Sequence, residues 1–250
     1  MKLLASDFDG TLYFHNKEEK IRESDLESIR KFQKEGNLFG ICTGRHLKGI
    51  LEPTKEKVDF DFYIVNSGAV ILDKNREVIQ EYKIERQVAE EVTKYIDKSV
   101  EVTFIIDDEF YAINWKGNWP IKVIEVSSIK EVDVEYLDAL SFHFEDLDQA
   151  TEIYNHIVNK YSYIIDVYQN ITNLDFAPKG CSKGNALKKV MDYYKVNCDD
   201  MNCIGDSWND LPMFEAVDNS FTFTYSPKDI QQSTKHVIDS LEECISIIMS

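Results

Sequence analysis

The stretch Leu3-Leu4-Ala5-Ser6-Asp7-Phe8-Asp9-Gly10-Thr11-Leu12 constrains the chain more than any other, because a short apolar run stops abruptly at two carboxylates. Such a run predicts a strand that delivers acid to a loop. Strand side chains alternate between faces, so Asp7 and Asp9 are expected to leave the strand end on one side while Phe8 packs on the other. Like charges held that close repel unless a cation or a shared proton relieves them, which points to a divalent metal or to proton transfer. Gly10 and Thr11 add a permissive backbone and a hydroxyl beside the acids, groups that can cradle a phosphate. Asp-Gly is also a strong hairpin-turn dipeptide, and this stretch alone leaves both readings open.

A capping box at Ser24-Asp25-Leu26-Glu27 predicts a helix closed by Gly36, with Leu26, Ile29, Arg30 and Phe32 to Gln33 along its buried side. Leu38 to Cys42 reads as a strand ending at Thr43-Gly44-Arg45. A helical stretch follows from His46, and a third strand, Phe62 to Val65, ends at Asn66-Ser67-Gly68. Strands alternating with helices predict a parallel sheet covered on both faces, with ligands at the carboxyl ends of the strands. The rhythm then breaks. Hairpins at 70–82 and 102–115, helices at about 85–98 and 146–160, and strands at 139–144, 163–168 and 171–176 predict an antiparallel sheet backed on one face. From Lys179 the first rhythm returns, with a helix from Ser182-Lys183-Gly184 to about Tyr194 and a strand at Met201 to Ile204. After the loop Gly205-Asp206-Ser207-Trp208-Asn209-Asp210 come a helix, strands around 221–223 and 237–238, and a last helix from Leu241. The expected fold class is α/β: a Rossmann-like parallel-sheet core from 1–81 and 178–250, with an inserted α+β domain at 82–177.

Further polar residues gather at the predicted strand ends. Thr43, followed by Gly44, suits either a phosphate oxygen or a helix cap, and Arg45 either an anion clamp or a solvated charge. Lys183 falls in a first helical turn, where the dipole disfavours a cation by roughly 0.3–1 kcal/mol. That placement invites contact with a phosphate or a carboxylate, although its long stem also suits simple exposure. Asp206, Asn209 and Asp210 offer hard oxygen ligands suited to Mg²⁺, or ordinary helix capping. The five histidines are scattered and read as surface or packing residues. Trp115, Gly117, Trp119 and Pro120 form an aromatic turn, read as core packing or the roof of a pocket.

Composition narrows the partners. Lys and Arg number 28 against 45 Asp and Glu, so the net charge of −17 repels nucleic acid and anionic membranes, and any phosphate site must be built locally. The five cysteines are odd in number and lack CxxC spacing, which fits reduced thiols rather than a zinc site or disulfide frame. No apolar run approaches membrane-spanning length. A soluble cytoplasmic protein is expected, and nothing indicates its oligomeric state.

Taken together, DFDGT at Asp7 to Thr11, TGR at Thr43 to Arg45, GCSKGNAL at Gly180 to Leu187 and IGDSWNDLPM at Ile204 to Met213 resemble the haloacid dehalogenase-like phosphatases. Within them the chain looks like the Cof-type branch, whose α/β cap is inserted between the second and third motifs. The resemblance implies Asp7 as the nucleophile, Asp9 as acid and base, and Lys183 as a third catalytic group. It implies Mg²⁺ held by Asp7, the backbone carbonyl of Asp9, and Asp206, with Asp210 in support. Phosphoryl oxygens would be gripped by Thr43 and Lys183, by backbone near Gly10, Thr11 and Gly44, and by Asn209. The implied activity is hydrolysis of small phosphate esters, with phosphotransfer to a second substrate or non-catalytic ligand binding as rivals. The chain departs from the family pattern in a longer loop at Asn66-Ser67-Gly68-Ala69. It also has Ser226-Pro227-Lys228 where relatives usually carry a Gly-Asn-Ala turn.

Overall fold

Alternation along the first strand sets the architecture. All four residues of β1 (Leu3–Ser6) are buried, with Leu4 in one apolar cluster and Leu3 and Ala5 in another. The computed structural model describes residues 1–55, 57–117 and 122–250. The chain divides into two compact units, Met1–Glu81 with Ser182–Ser250, and Tyr82–Cys181.

The first unit begins with β1, α1 (Glu23–Lys34), β2 (Leu38–Cys42), α2 (Lys48–Thr54), β3 (Phe62–Val65), β4 (Val70–Asp73) and β5 (Val78–Glu81). The second contains β6 (Ile84–Glu85), α3 (Arg86–Val92), β7 (Glu101–Ile106), β8 (Glu109–Ile113), β9 (Val123–Glu125), β10 (Tyr136–Leu137), β11 (Ala139–His143), α4 (Leu147–Tyr161), β12 (Ile165–Asn170) and β13 (Asn173–Pro178). The chain then returns to the first unit with α5 (Lys183–Tyr194), β14 (Met201–Ile204), α6 (Leu211–Ala216), β15 (Asn219–Phe223), α7 (Lys228–Gln232), β16 (His236–Ile238) and α8 (Leu241–Met249).

In the first unit the sheet order is β16-β15-β14-β1-β2-β3-β4-β5, parallel except for β4 and β5, which pair antiparallel. Side chains alternate between two layers: Phe39, Ile41, Tyr63 and Val65 pack with α1 and α8, whereas Cys42, Phe62 and Ile64 pack with α5 and α6. β1 lies between β2 and β14, where the strand order reverses, so its carboxyl end opens at the point where open α/β sheets take their ligands.

The second unit is a six-stranded sheet, β12-β13-β11-β7-β8-β9, antiparallel except at β8-β9, with a short β10-β6 ribbon. Val102, Phe104, Leu140, Phe142, Leu174 and Phe176 share its core with Ala150 and Ile157 of α4. Asp146 caps α4 by accepting from the Gln149 amide at 2.8 Å. The helix expected over 85–98 is shorter: α3 ends at Val92 and a 3₁₀ turn spans Thr93–Tyr95, where the β-branched pair Val92-Thr93 disfavours further α-helix. The short strands β9 and β10 lack the length of apolar alternation that would have marked them. Of the aromatic turn, Trp119 and Pro120 lie outside the described residues.

The expected capping box does not open α1. The helix begins at Glu23, and its N-cap Arg22 makes no side-chain capping bond. Asp25 is buried and accepts from the Glu242 amide at 3.0 Å, so the acid joins the N-cap Ser240 in satisfying the first amides of α8. Arg30, expected on the buried side, is exposed.

Burial raises the Asp25 carboxyl above its ordinary value, more than the Glu242 hydrogen bond lowers it. A raised folded-state value means that the stabilising contribution is whole below the unfolded aspartate pKa and is lost as pH climbs through the folded one. The melting temperature of Asp25→Asn should therefore gain on that of the wild type as pH rises above about 4, the ordinary aspartate range. A pH-independent difference between the two melting curves would contradict this assignment.

Candidate active site

Asp7 follows β1 in the phase of Leu3 and Ala5, towards the layer that holds α5. Its amide continues the ladder by donating to the Ile204 carbonyl at 2.8 Å, which sets the carboxylate beside the loop after β14. Lys183, the first residue of α5, reaches it: Nζ donates to Asp7 Oδ1 at 2.6 Å and to Asp210 Oδ1 at 2.6 Å. Ser182 is the N-cap of α5, accepting from the Asn185 amide at 3.0 Å, so the lysine occupies the first turn that its dipole preference would deny it. Two buried carboxylates explain the placement.

Asp210 is fully buried, and its Oδ2 accepts from the amides of Asp206 at 2.9 Å and Ser207 at 3.1 Å. Oδ2 of Asp210 thus caps this turn while its Oδ1 meets Lys183. Asp206 Oδ1 accepts from the Thr11 hydroxyl at 2.9 Å, which ties the loop after β14 to the loop after β1. Gly10, at φ +82°, permits the approach, since a Cβ there would come within 2.5 Å of Asp206 Oδ2. Carboxylate oxygens of Asp7, Asp206 and Asp210 lie within 4.8 Å of one another, a set of hard donors able to hold a metal ion.

The electrostatics match the crowding. Burial, then the neighbouring Asp210, pushes the Asp7 carboxyl well above the usual range despite Lys183. Asp206 is pushed up to about 7 by burial and by Asp210. Burial by itself would lower Lys183, but Asp210 and Asp7 outweigh it and raise the ammonium above its ordinary value. Three carboxylates around one ammonium leave an excess of negative charge.

Asp9 stands outside this trio. β1 ends at Ser6, so strict alternation stops before Asp9, and its carboxylate meets Arg45, which donates from Nε to Oδ2 and from Nη2 to Oδ1, both at 2.7 Å. His15, read from sequence as a surface or packing residue, places Nε2 at 2.7 Å from Asp9 Oδ1. Arg45 is thus neither a free solvated charge nor an open anion clamp. Thr43 is buried at the end of β2; its hydroxyl accepts from the Arg45 amide at 3.1 Å and its carbonyl accepts from the Ser67 amide at 3.1 Å. Gly44 follows it at the same sheet edge. Asn209 Oδ1 accepts from the Ser207 hydroxyl at 3.2 Å. Tyr225, missed by the sequence reading, donates to the Gly10 carbonyl at 2.6 Å, and it directly precedes Ser226-Pro227-Lys228. Asn66, Ser67 and Gly68 all take positive φ, so the longer loop is held in an unusual left-handed run.

Comparison with known proteins identifies the frame. A family model described as haloacid dehalogenase-like hydrolase matches residues 4–248. Among sequence relatives, 5-amino-6-(5-phospho-D-ribitylamino)uracil phosphatase YwtE of Bacillus subtilis is 25% identical, over 97% of this chain and 94% of that protein. A solved haloacid dehalogenase-like hydrolase from B. subtilis superposes with a TM-score of 0.85 at 17% identity, covering 100% of this chain and 99% of that one. A subclass IIB sugar phosphatase superposes with a TM-score of 0.83 at 18% identity, covering 97% of this chain and 95% of that one. These structural likenesses carry the fold.

Removing the shared cation leaves Asp7 and Asp210 unpaired. Lys183→Met should therefore lower the unfolding free energy by about 3–5 kcal/mol at neutral pH, the usual result of breaking a buried pair from one side. Denaturant titration with an unchanged midpoint and slope would contradict it.

Proposed function

The chain belongs to the haloacid dehalogenase-like hydrolases, in the Cof-type phosphatase branch, and on that premise we propose a Mg²⁺-dependent phosphatase acting through an aspartyl-phosphate at Asp7. The observation that carries this reading is the convergence of Asp7, Asp206 and Asp210, with oxygens within 4.8 Å of one another, around the ammonium of Lys183. The proposed substrates are small phosphorylated metabolites, such as sugar phosphates or phosphorylated cofactors. A relative named for a phosphoribitylaminouracil ester supports that class. A cytoplasmic location agrees with five unpaired cysteine thiols.

The donor set fits the ion: all ligands are hard oxygens, and the burial and carboxylate crowding that lift Asp7 and Asp206 are what a divalent cation offsets. Asp7, the carbonyl of Asp9, and Asp206 would hold Mg²⁺, with Asp210 supporting. When bound, the ion supplies positive charge beside the phosphoryl oxygens.

An oxygen of Asp7 attacks phosphorus while Lys183 fixes the other end of its carboxylate. As the bond to the leaving alcohol breaks, Asp9 gives that oxygen its proton. Asp9 then takes a proton from water, whose oxygen attacks phosphorus and releases Asp7 and inorganic phosphate. Asp9 ends the cycle protonated, as it began. Lys183, Thr43, Asn209 and backbone N–H groups at Gly10, Thr11 and Gly44 bind the phosphoryl oxygens, so that positioning and charge stabilisation do most of the work.

Turnover of nitrophenyl phosphate should vanish with EDTA and return with Mg²⁺; equal rates with and without chelator would exclude the metal. Asp7→Asn, which removes the nucleophile at nearly constant volume, should abolish turnover while thermal unfolding remains cooperative. Activity near wild type in that variant would point to a different acid. Mg²⁺ should also raise the melting temperature of the wild type but not of Asp206→Asn, a readout independent of catalysis.

A further inference from the structure

We propose that Arg45 is the positioning residue for Asp9, with His15 as a lateral stop that fixes the same carboxylate. The inference rests on the proposed role of Asp9 as acid and base. Acid catalysis requires the carboxyl within hydrogen-bond reach of the leaving oxygen, and an ångström of misplacement costs on the order of a hundredfold in rate. The Asp9 side chain is 35% exposed and lies on a loop, so its orientation must come from neighbours.

Arg45 supplies it through two parallel bonds, Nε to Oδ2 and Nη2 to Oδ1 at 2.7 Å each, which fix the carboxylate plane as well as its position. The guanidinium is itself immobilised. Its Nη1 donates to the Gly49 carbonyl at 2.9 Å, so all three nitrogens are engaged. Its Cζ lies 4.9 Å from the Phe8 ring centroid and 5.8 Å from that of Tyr13. Those rings stack on each other at 5.0 Å, which makes a flat aromatic floor anchored by the buried Phe8. The main chain is held on both sides, the Arg45 amide by the Thr43 hydroxyl at 3.1 Å and its carbonyl by the Asn66 amide at 3.0 Å.

His15 closes the remaining side. Its Nε2 is 2.7 Å from Asp9 Oδ1 and 2.7 Å from Arg45 Nη2, and its ring stands edge-on to Tyr13 at 4.9 Å. The nitrogen therefore sits at the corner of the fork, where it blocks sideways swing of the carboxylate. Lysine at position 45 would preserve the charge but not the two-bond geometry.

The test compares kcat/KM for an alkyl phosphate and for nitrophenyl phosphate, in the presence of Mg²⁺. Nitrophenolate leaves without a proton, whereas an alkoxide needs one, so a misaimed Asp9 penalises the alkyl ester selectively. Arg45→Lys should lower the alkyl-to-nitrophenyl ratio by about tenfold or more, a fraction of the usual worth of an acid catalyst. His15→Phe, which keeps a ring beside Tyr13 without the nitrogen, should shift the ratio in the same direction by less. Guanidinium ion added to Arg45→Ala should recover part of the alkyl-ester rate. An unchanged ratio in Arg45→Lys, with cooperative unfolding, would overturn the proposal; should the arginine variants fail to fold, an unchanged ratio in His15→Phe overturns it instead. A wild type inactive on both esters would remove the phosphatase reading and this inference with it.

Discussion

A buried ammonium shared by two carboxylates is the interaction on which the rest of the site depends. Lys183 is 2% exposed and spans Asp7, after β1, and Asp210, after β14, so a charge removed from water is tolerated only while all three elements keep their places. The packing beneath it is correspondingly close. A Cβ at Gly184 would come within 2.0 Å of the Pro212 carbonyl, so glycine after Lys183 lets α5 lie directly against the start of α6 and brings ammonium and carboxylate together. The parallel sheet supplies the common edge at which these loops meet.

That arrangement is under electrostatic strain. Asp7 and Asp206 both have raised carboxyl values, because burial and mutual repulsion exceed what one lysine offsets. The chain as a whole carries −17, which does nothing to attract a phosphate at long range. In the proposed mechanism the local cations and N–H groups must therefore do the recruiting, and the acidic trio acquires its use once a divalent ion is bound.

Much of the fold was legible because the strands of the first unit announce themselves: continuous apolar runs such as Leu38 to Cys42 end sharply at small polar residues. The closeness of Asp7, Lys183, Asp206 and Asp210 was legible only through motif order, since no local spacing links position 7 to position 183. What escaped the sequence reading were contacts decided by tertiary neighbours. The box at Ser24 to Glu27 looked like the start of its own helix because nothing local shows that Asp25 serves the N-terminus of α8 instead. His15 looked incidental because its partner Arg45 lies thirty positions away. The fork between Asp9 and Arg45 escaped for the same reason, since the two lie thirty-six positions apart. Tyr225 carried no motif, and its bond to the Gly10 carbonyl, more than two hundred positions away, supports the acidic loop.

Every proposed role in the site depends on a covalent step at Asp7. Rapid acid quench during turnover of nitrophenyl phosphate, whose leaving group needs no proton, followed by mass spectrometry of peptides, tests it most directly, with Asp9→Asn used to slow release of the intermediate. A phosphoryl group should appear on the peptide bearing Asp7, reducible by borohydride as an acyl phosphate and absent from Asp7→Asn. Steady release of phosphate with no such adduct, or an adduct on another residue, would contradict it.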